Sequence, residues 1–305
     1  MANKVLVTGA SGTIGQLLVQ KLLAQNHEVW ALRRTPDDNI KPDRLYTLIG
    51  DVTKEDLCLG SANWSYFDSV YHLAGIVNLS LVDKDDLIVE INCYGTARVI
   101  KFCEKYGIQH LYYCGTAYAY GGRNPYENSK LAAEVLVKGS KIPKITIFKP
   151  SLVLGGHQHF SQFVSLLIFL HRRVEIVRRR VEGTLRLPGI EPIFRIKGDE
   201  AHCLNLVTSE AVADAMANIN DEGTFWLTNP HPPTLEYLGK IVGEFIMVNL
   251  QFRRDFPAMP LEIAFQKLAK PFLPYLLEGD NFPSDLPDFK LKREDIDKEL
   301  LKLIR

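Results

Sequence analysis

Tyr126 and Lys130 stand four residues apart in NPYENSK at 124–130. On a helix, positions i and i+4 share a face. An ammonium beside a phenol favours the phenolate, and is expected to lower the tyrosine pKa from about 10 towards neutral. A tyrosine so placed can give a proton to a carbonyl being reduced or take one from an alcohol being oxidised. The pair alone is common, and an exposed tyrosine beside a solvated lysine has the same spacing, so its surroundings decide. Thr116, in CGTAYAYGG at 114–122, follows the apolar run His110–Cys114. Its hydroxyl therefore falls at the C-terminal edge of a sheet, where it can hydrogen-bond a substrate oxygen. Asn92 interrupts a long helical pattern, where asparagine is a poor residue. By type alone it reads as an exposed or a packed helix position.

These residues need a frame, and the chain start supplies one. Lys4–Thr8 is a short β-branched and apolar run of the kind that forms a buried strand. Gly9, Gly12 and Gly15 then mark a tight turn opening into a helix whose apolar positions Ile14, Leu18 and Leu22 recur every fourth residue. Such a turn aims backbone N–H groups and the positive end of a helix dipole at one point, which suits a phosphate. Further strands are expected at Glu28–Leu32, Leu45–Ile49, Ser69–Ala74, His110–Cys114 and Lys144–Lys149, with helices at Asp86–Tyr106 and Tyr126–Lys138. Strands alternating with helices imply right-handed βαβ units, hence an α/β, doubly wound parallel sheet.

The pattern changes after Pro150. Residues 155–196 are irregular and locally basic; Thr208 and Thr234 are placed to cap helices, Gly223–Thr228 reads as a seventh strand, and Arg293–Ile304 as an amphipathic helix. The expected division is a dinucleotide-binding unit over 1–154, rejoined by 201–229, and a smaller, mostly helical substrate-binding part over 155–200 and 230–305. The second part is expected to lie over the carboxyl ends of the strands, where open sheets bind ligands.

Composition sets the outer bounds. The 305 residues are 46% hydrophobic and 24% charged, as in ordinary globular chains. Lys plus Arg and Asp plus Glu are 36 each, which argues against general nucleic-acid binding. Five cysteines without a CxxC pair read as thiols in a reducing compartment. No apolar stretch approaches the ~20 residues of a membrane span. With the first strand starting at residue 4, no signal peptide is expected, and the reading is cytoplasmic.

The motifs together resemble the extended short-chain dehydrogenase/reductases, of the NAD-dependent epimerase/dehydratase superfamily. TGASGTIG at 8–15 matches the TGxxGxxG cofactor turn, implying cofactor contacts from Gly9, Ser11, Gly12, Thr13, Ile14 and Gly15. GDV at 50–52 matches the segment whose acidic residue, here Asp51 followed by Val52, hydrogen-bonds adenine. HLAG at 72–75, with Leu73, Ala74 and Gly75, matches the segment lining the adenine ribose. FKPSLVLG at 148–155 resembles the RPSxVxG segment beside the nicotinamide amide, placing Pro150, Ser151, Leu152 and Val153 there, with Lys149 where arginine is usual. IVEINCYGT at 88–96 matches IxxNxxGT, in which the asparagine, here Asn92, helps hold a proton-relay water near the catalytic lysine. The resemblance makes Tyr126 the acid/base, has Lys130 lower its pKa and hold the nicotinamide ribose, and has Thr116 orient the carbonyl. GDVTKEDLCLG at 50–60, NPYENSKLAAEVLV at 124–137 and TFWLTNPHPPTLEYLGKIV at 224–242 look closest to the thioester-reductase and fatty-acyl reductase branch. Members of that branch reduce acyl thioesters or related carbonyls with NADPH. Pairing of two copies through the helices at 86–106 and 126–138 is the family expectation.

The cofactor can also be read from charge. The end of a second Rossmann strand meets the adenine ribose, where a carboxylate selects NAD and arginine a 2′-phosphate. Here EVWAL runs into Arg33 and Arg34, with no carboxylate until Asp37, so NADP is expected; Asp37 and Asp38 folding back would return the preference to NAD. Two rivals stand beside a carbonyl oxidoreductase. One is a nucleotide-sugar epimerase or dehydratase with tightly bound NAD, its diphosphate gripped by arginines at 172–180. The other is a non-catalytic cofactor-binding scaffold. HRRVEIVRRR at 171–180 reads as a solvated basic face, or as a dock for an acidic carrier protein, a coenzyme phosphate or an anionic membrane. GHQH at 156–159 fits no strong zinc spacing, and no metal is expected.

Overall fold

The computed structural model describes residues 3–36, 42–60, 62–77, 85–120, 122–155, 160, 162–169, 172 and 193–303. The first strand, β1 (Lys4–Thr8), alternates: Val5 and Val7 belong to the core on one sheet face, Leu6 to the core on the other. That period of two, with every position after Lys4 apolar or β-branched, is what a strand buried on both faces requires. It leads through the glycine turn into α1 (Thr13–Ala24), whose Leu18, Val19 and Leu22 are buried against the sheet. β2 (Glu28–Arg33) and β3 (Leu45–Ile49) then extend the sheet to one side.

β4 (Ser69–His72) returns to the opposite side of β1, followed by β5 (His110–Cys114) and β6 (Lys144–Phe148). The late strand Gly223–Phe225 completes a seven-stranded sheet in which each neighbouring pair is parallel. It is shorter than the expected Gly223–Thr228. Strand order reverses between β1 and β4, and the carboxyl ends of those strands flank the crevice where such sheets take ligands.

The helix between β4 and β5 is not uniform. It comprises α2 (Asp85–Val89), a π-helical turn (Glu90–Tyr94) and α3 (Gly95–Tyr106). The expected stripe is present, with Ile88, Val99 and Phe102 buried. The wider turn coincides with Asn92, whose side chain is turned inwards; π turns of this kind concentrate at functional sites. α4 (Pro125–Lys138) starts where sequence dictates. The Asn124 side chain accepts from the Glu127 N–H at 2.9 Å, and Pro125 occupies the first turn, where its missing N–H costs nothing.

Beyond Pro150 the chain forms more strand than expected. β7 (Leu152–Leu154) pairs with β9 (Leu206–Thr208), and β8 (Ile193–Lys197) pairs with β11 (Asn249–Arg253), both parallel; β10 is Gly223–Phe225. Helical residues 162–169 (α5), α6 (Ser209–Asn218), α7 (Leu235–Ile246), α8 (Pro260–Leu268), α9 (Leu273–Glu278) and α10 (Arg293–Lys302) complete the chain. Thr208 and Thr234 cap α6 and α7 as their types require. α6 joins α1 over one sheet face, while α3 and α4 cover the other. A third apolar cluster gathers Phe163, Leu204, Leu238, Phe265, Leu276 and Leu300.

Candidate active site

The turn after β1 sets the floor of a long trough. Gly9 has φ 73°, a left-handed conformation, and a Cβ there would lie 2.6 Å from the Ala74 nitrogen. Only glycine lets the β1 and β4 exits approach so closely. The α1 amino terminus carries no side-chain cap and no acidic residue in its first turn, unlike α4, α6 and α7. Its N–H donors and dipole therefore face the trough without a side-chain partner, which fits an anionic group such as a pyrophosphate.

The trough has two connected halves that share Gly9, Gly12, Leu73 and Gly75. One spans about 1020 Å³, open solvent included, and is lined by Ser11, Arg33, Arg34, Asp51, Val52 and Ala74, among others. The second spans about 890 Å³, open solvent included, and is lined by Thr13, Ile14, Gly15, Thr116, Tyr126, Lys130 and Pro150 through Val153. Every candidate cofactor and catalytic residue read from sequence lines one half or the other, except Asn92, which lies just behind. Asp37, Asp38, His157, His159 and the basic run beyond Arg172 fall outside the described residues.

Tyr126, Thr116 and Lys130 converge in the second half. All three are buried, and the Thr116 and Tyr126 hydroxyls are hydrogen-bonded. Lys130 Nζ donates to the Cys114 carbonyl at 2.9 Å and sits 5.3 Å from the Tyr113 ring centroid. The expected lowering of the tyrosine pKa is corrected here. Burial pushes the Tyr126 phenol above its ordinary value; the neighbouring Cys114 adds to this and the Thr116 hydrogen bond only partly offsets it. Burial lowers the Lys130 pKa in turn. This arrangement keeps Tyr126 protonated, the state of a proton donor to a carbonyl.

Asn92 clips the chain where it leaves β4. The Ile76 N–H donates to Asn92 Oδ1 at 2.8 Å, Asn92 Nδ2 donates to the Ile76 carbonyl at 3.0 Å, and the same amide reaches Ser129 Oγ at 3.1 Å. Ser129 donates onward to the Tyr126 carbonyl at 2.7 Å. Asn92 thereby ties the β4 exit to the helix that carries Tyr126 and Lys130. Gly75 completes the contact: a Cβ there would lie 3.1 Å from Asn92 Oδ1 and 3.2 Å from Lys130 Nζ.

Sequence reasoning missed His72, which orders this corner. Thr96 Oγ1 donates to the Asn92 carbonyl at 2.7 Å, so it accepts from His72 Nε2 at 3.0 Å. Thr8 Oγ1 accepts from Ala74 N–H and donates to His72 Nδ1 at 2.7 Å. One tautomer satisfies the whole chain. Burial and Lys130 lower the His72 pKa to about 3, so the ring is neutral. Lys149 points elsewhere: its Nζ pairs with Glu134 at 3.2 Å and lies 4.5 Å from the Trp226 ring centroid. One C-terminal residue reaches the site and a second lies behind it. Tyr275 lines the cleft, and Asp280 accepts from Tyr118 at 2.6 Å and from the Asn205 N–H at 2.8 Å.

Residues 5–176 match the family model described as the NAD dependent epimerase/dehydratase family. The chain belongs to this family. Among curated relatives, a 3-beta-hydroxysteroid dehydrogenase of Mycolicibacterium neoaurum is 32% identical over 117 residues, covering 36% of this chain and 31% of its own. An alcohol-forming fatty acyl-CoA reductase of Simmondsia chinensis is 28% identical over 158 residues, covering 39% and 32%. The matches thus span about a third of these relatives. Among solved structures, the terminal R domain from the myxalamid PKS-NRPS biosynthetic pathway has a TM-score of 0.69 at 17% identity, covering 99% of this chain and 91% of that one. MoeE5 in complex with UDP-glucose and NAD has a TM-score of 0.61 at 20% identity, covering 99% of both. At these identities the structural likeness establishes the epimerase/dehydratase fold. Among the described residues, no helix is long and apolar enough to cross a membrane.

Proposed function

We propose that this family member is an NAD(P)-dependent oxidoreductase that reduces a carbonyl, including one derived from an acyl thioester. The observation that carries the reading is the convergence of Tyr126, Thr116 and Lys130 on a cleft continuous with the uncapped α1 terminus. A bound nicotinamide dinucleotide supplies the hydride. Gly9, Ser11, Gly12, Thr13, Ile14 and Gly15 hold its pyrophosphate through backbone N–H groups. Arg33 and Arg34 take the adenosine 2′-phosphate, which favours NADP, while Asp51 and Val52 border the adenine. Asp51 Oδ1 already accepts from the Thr53 N–H at 2.9 Å, which fixes the orientation of its carboxylate. Leu73, Ala74 and Gly75 border the adenosine end, and Pro150 through Val153 border the nicotinamide.

Tyr126 gives its proton to the carbonyl oxygen, and Thr116 donates a hydrogen bond to the same oxygen. The neutral phenol described above is the form that can donate that proton. Lys130 holds the nicotinamide ribose, and Asn92 fixes the loop beside it. The carbonyl carbon gains the hydride, its oxygen gains the Tyr126 proton, and the product is an alcohol. Five large apolar side chains on the flanking helices, Leu87, Tyr94, Leu131, Val135 and Leu136, are exposed and support pairing of two copies.

The test is net redox. The purified protein is mixed with NADPH or NADH and a panel of aldehydes, ketones and acyl thioesters, and nicotinamide oxidation is compared with alcohol formed. Equal amounts support the reading. A second reading, a nucleotide-sugar epimerase or dehydratase, draws on the family match and on the fold likeness to MoeE5. Its signature is NAD that co-purifies and a UDP-sugar converted with no net change in the nicotinamide.

A further inference from the structure

Beside the catalytic half of the trough lies a second space with a different character. It spans about 340 Å³, the solvent at its mouth included, and is walled by Leu152, Phe160, Phe163, Leu204, Phe272, Tyr275 and Leu276. Leu152 and Tyr275 also line the catalytic cleft, so the two spaces lie side by side. Six of the seven walls are hydrocarbon. The seventh, Tyr275, spends its hydroxyl elsewhere: it donates to Glu127 Oε1 at 2.7 Å and accepts from Asn124 Nδ2 at 2.8 Å. Only its ring is left for the pocket. The wall belongs to the apolar cluster under α5, α7 and α9, where Phe163 meets Phe272 with ring centroids 5.6 Å apart.

An apolar space has nothing to hold water in place, and such spaces take apolar ligands. The catalytic cleft carries the complementary lack. Among its described lining residues Lys130 is the sole charged side chain, and its Nζ is bound to Cys114 O. The described walls therefore offer little to a substrate diphosphate, and a good deal to a hydrocarbon chain that ends in a carbonyl near Tyr126.

We infer that the substrate is a carbonyl compound with an apolar tail, and that the tail occupies the pocket between Leu152 and Phe272 while the carbonyl sits at Tyr126. The inference rests on the oxidoreductase reading above. For an aldehyde the balance is simple: the reduced dinucleotide gives a hydride to the carbonyl carbon, Tyr126 gives a proton to the oxygen, and a primary alcohol leaves.

The probe is the straight-chain series from propanal to dodecanal with NADPH. Each methylene that enters the pocket should raise kcat/KM by about fourfold, until the pocket is full and the gain stops. Leu204 lies in the pocket wall and away from the reacting groups. Leu204→Phe should move the plateau to a shorter chain, and Leu204→Ala to a longer one, with propanal turnover within twofold of the wild type in both. Opposite displacements by two variants at one position cannot come from misfolding. Calorimetric titration with 1-octanol supplies a readout besides turnover, with binding weakened at least tenfold in Leu204→Phe. Turnover that is independent of chain length overturns the pocket and leaves the oxidoreductase standing. Octanol binding that responds to Leu204 without turnover of any aldehyde upholds the pocket and overturns the oxidoreductase. Neither turnover nor binding overturns both.

Discussion

Gly75→Ala separates the site from the fold. The added methyl would stand 3.1 Å from Asn92 Oδ1 and 3.2 Å from Lys130 Nζ, against the 3.4–4 Å of ordinary contact. A few tenths of an ångström must be found. Asn92 cannot yield easily, because its amide bonds both the N–H and the carbonyl of Ile76 and also Ser129. The lysine is the flexible partner, so the ammonium moves. Gly75 lies outside the left-handed region, so alanine meets no backbone strain there. Stability should then change little, since the loss of unfolded-state freedom favours the variant by roughly 0.4–1 kcal/mol and a weakened charged hydrogen bond costs about as much or somewhat more. Activity is more sensitive, because a displacement of about 1 Å at a positioned group can cost on the order of 100-fold. A shift of a few tenths should lower kcat/KM by roughly tenfold, with the melting temperature within about 3 °C of the wild type. Paired steady-state kinetics and thermal denaturation read both quantities. A variant as active as the wild type, with an unchanged melting temperature, would refute the placement of Lys130 and Asn92 around Gly75.

Three further outcomes follow from charge. Because burial raises the Tyr126 pKa and lowers that of Lys130, the reductive pH profile should be flat through neutrality. Its alkaline limb should lie below the ordinary lysine value and mark loss of the Lys130 proton; a limb near neutrality that vanishes in Tyr126→Phe would contradict this. Burial raises Asp280 from 3.8 to about 6, so the folded state holds that proton more tightly than the unfolded chain. Its favourable contribution is complete below pH 3.8 and is lost as pH rises to about 6, an effect of about 3 kcal/mol for the roughly two-unit shift. His72 and His110, held neutral with pKa values of about 3 and about 4, act in the opposite sense over an overlapping range. They cancel when wild type and Asp280→Asn are compared by urea unfolding. The stability difference should therefore move in favour of the variant by about that amount between pH 4 and 6.5, and a difference independent of pH would show that Asp280 is not held as described. Arg33→Ala should weaken NADPH by roughly 10- to 100-fold and leave NADH within threefold, read as paired dissociation constants. Equal affinity for both cofactors in the wild type, with no loss in the variant, would return the preference to NAD.

The parts legible in sequence are those where one residue type answers one local demand. Alternation at Val5, Leu6 and Val7 requires a strand buried on both faces, and Asn124-Pro125 requires a helix start. Thr116, Tyr126 and Lys130 were readable because helical spacing and a strand end bring them to one edge. The ammonium's real partner was not readable, since it is the Cys114 backbone carbonyl and a carbonyl has no letter. The same holds for Asn92, whose partners are the N–H and carbonyl of Ile76. His72 sat inside a quoted motif, yet its role depends on Thr8 and Thr96, which meet it only across the sheet. The apolar pocket was least legible. Its walls, from Leu152 to Leu276, come from four distant segments, none with a period that marks a shared face. The parallel pair β8 and β11 was missed for a related reason: its strands are separated by 51 residues, and pairing at that distance leaves no local pattern.

The most direct test of the account is Tyr126→Phe, which removes one oxygen and keeps the ring that fills the site. Nicotinamide oxidation with the best carbonyl substrate is measured beside the cofactor dissociation constant. Loss of general acid catalysis should lower kcat by about 100-fold or more, with cofactor affinity within threefold and the fold intact by circular dichroism. Full turnover in this variant would contradict the assignment of Tyr126 as the proton donor, and with it the proposed chemistry.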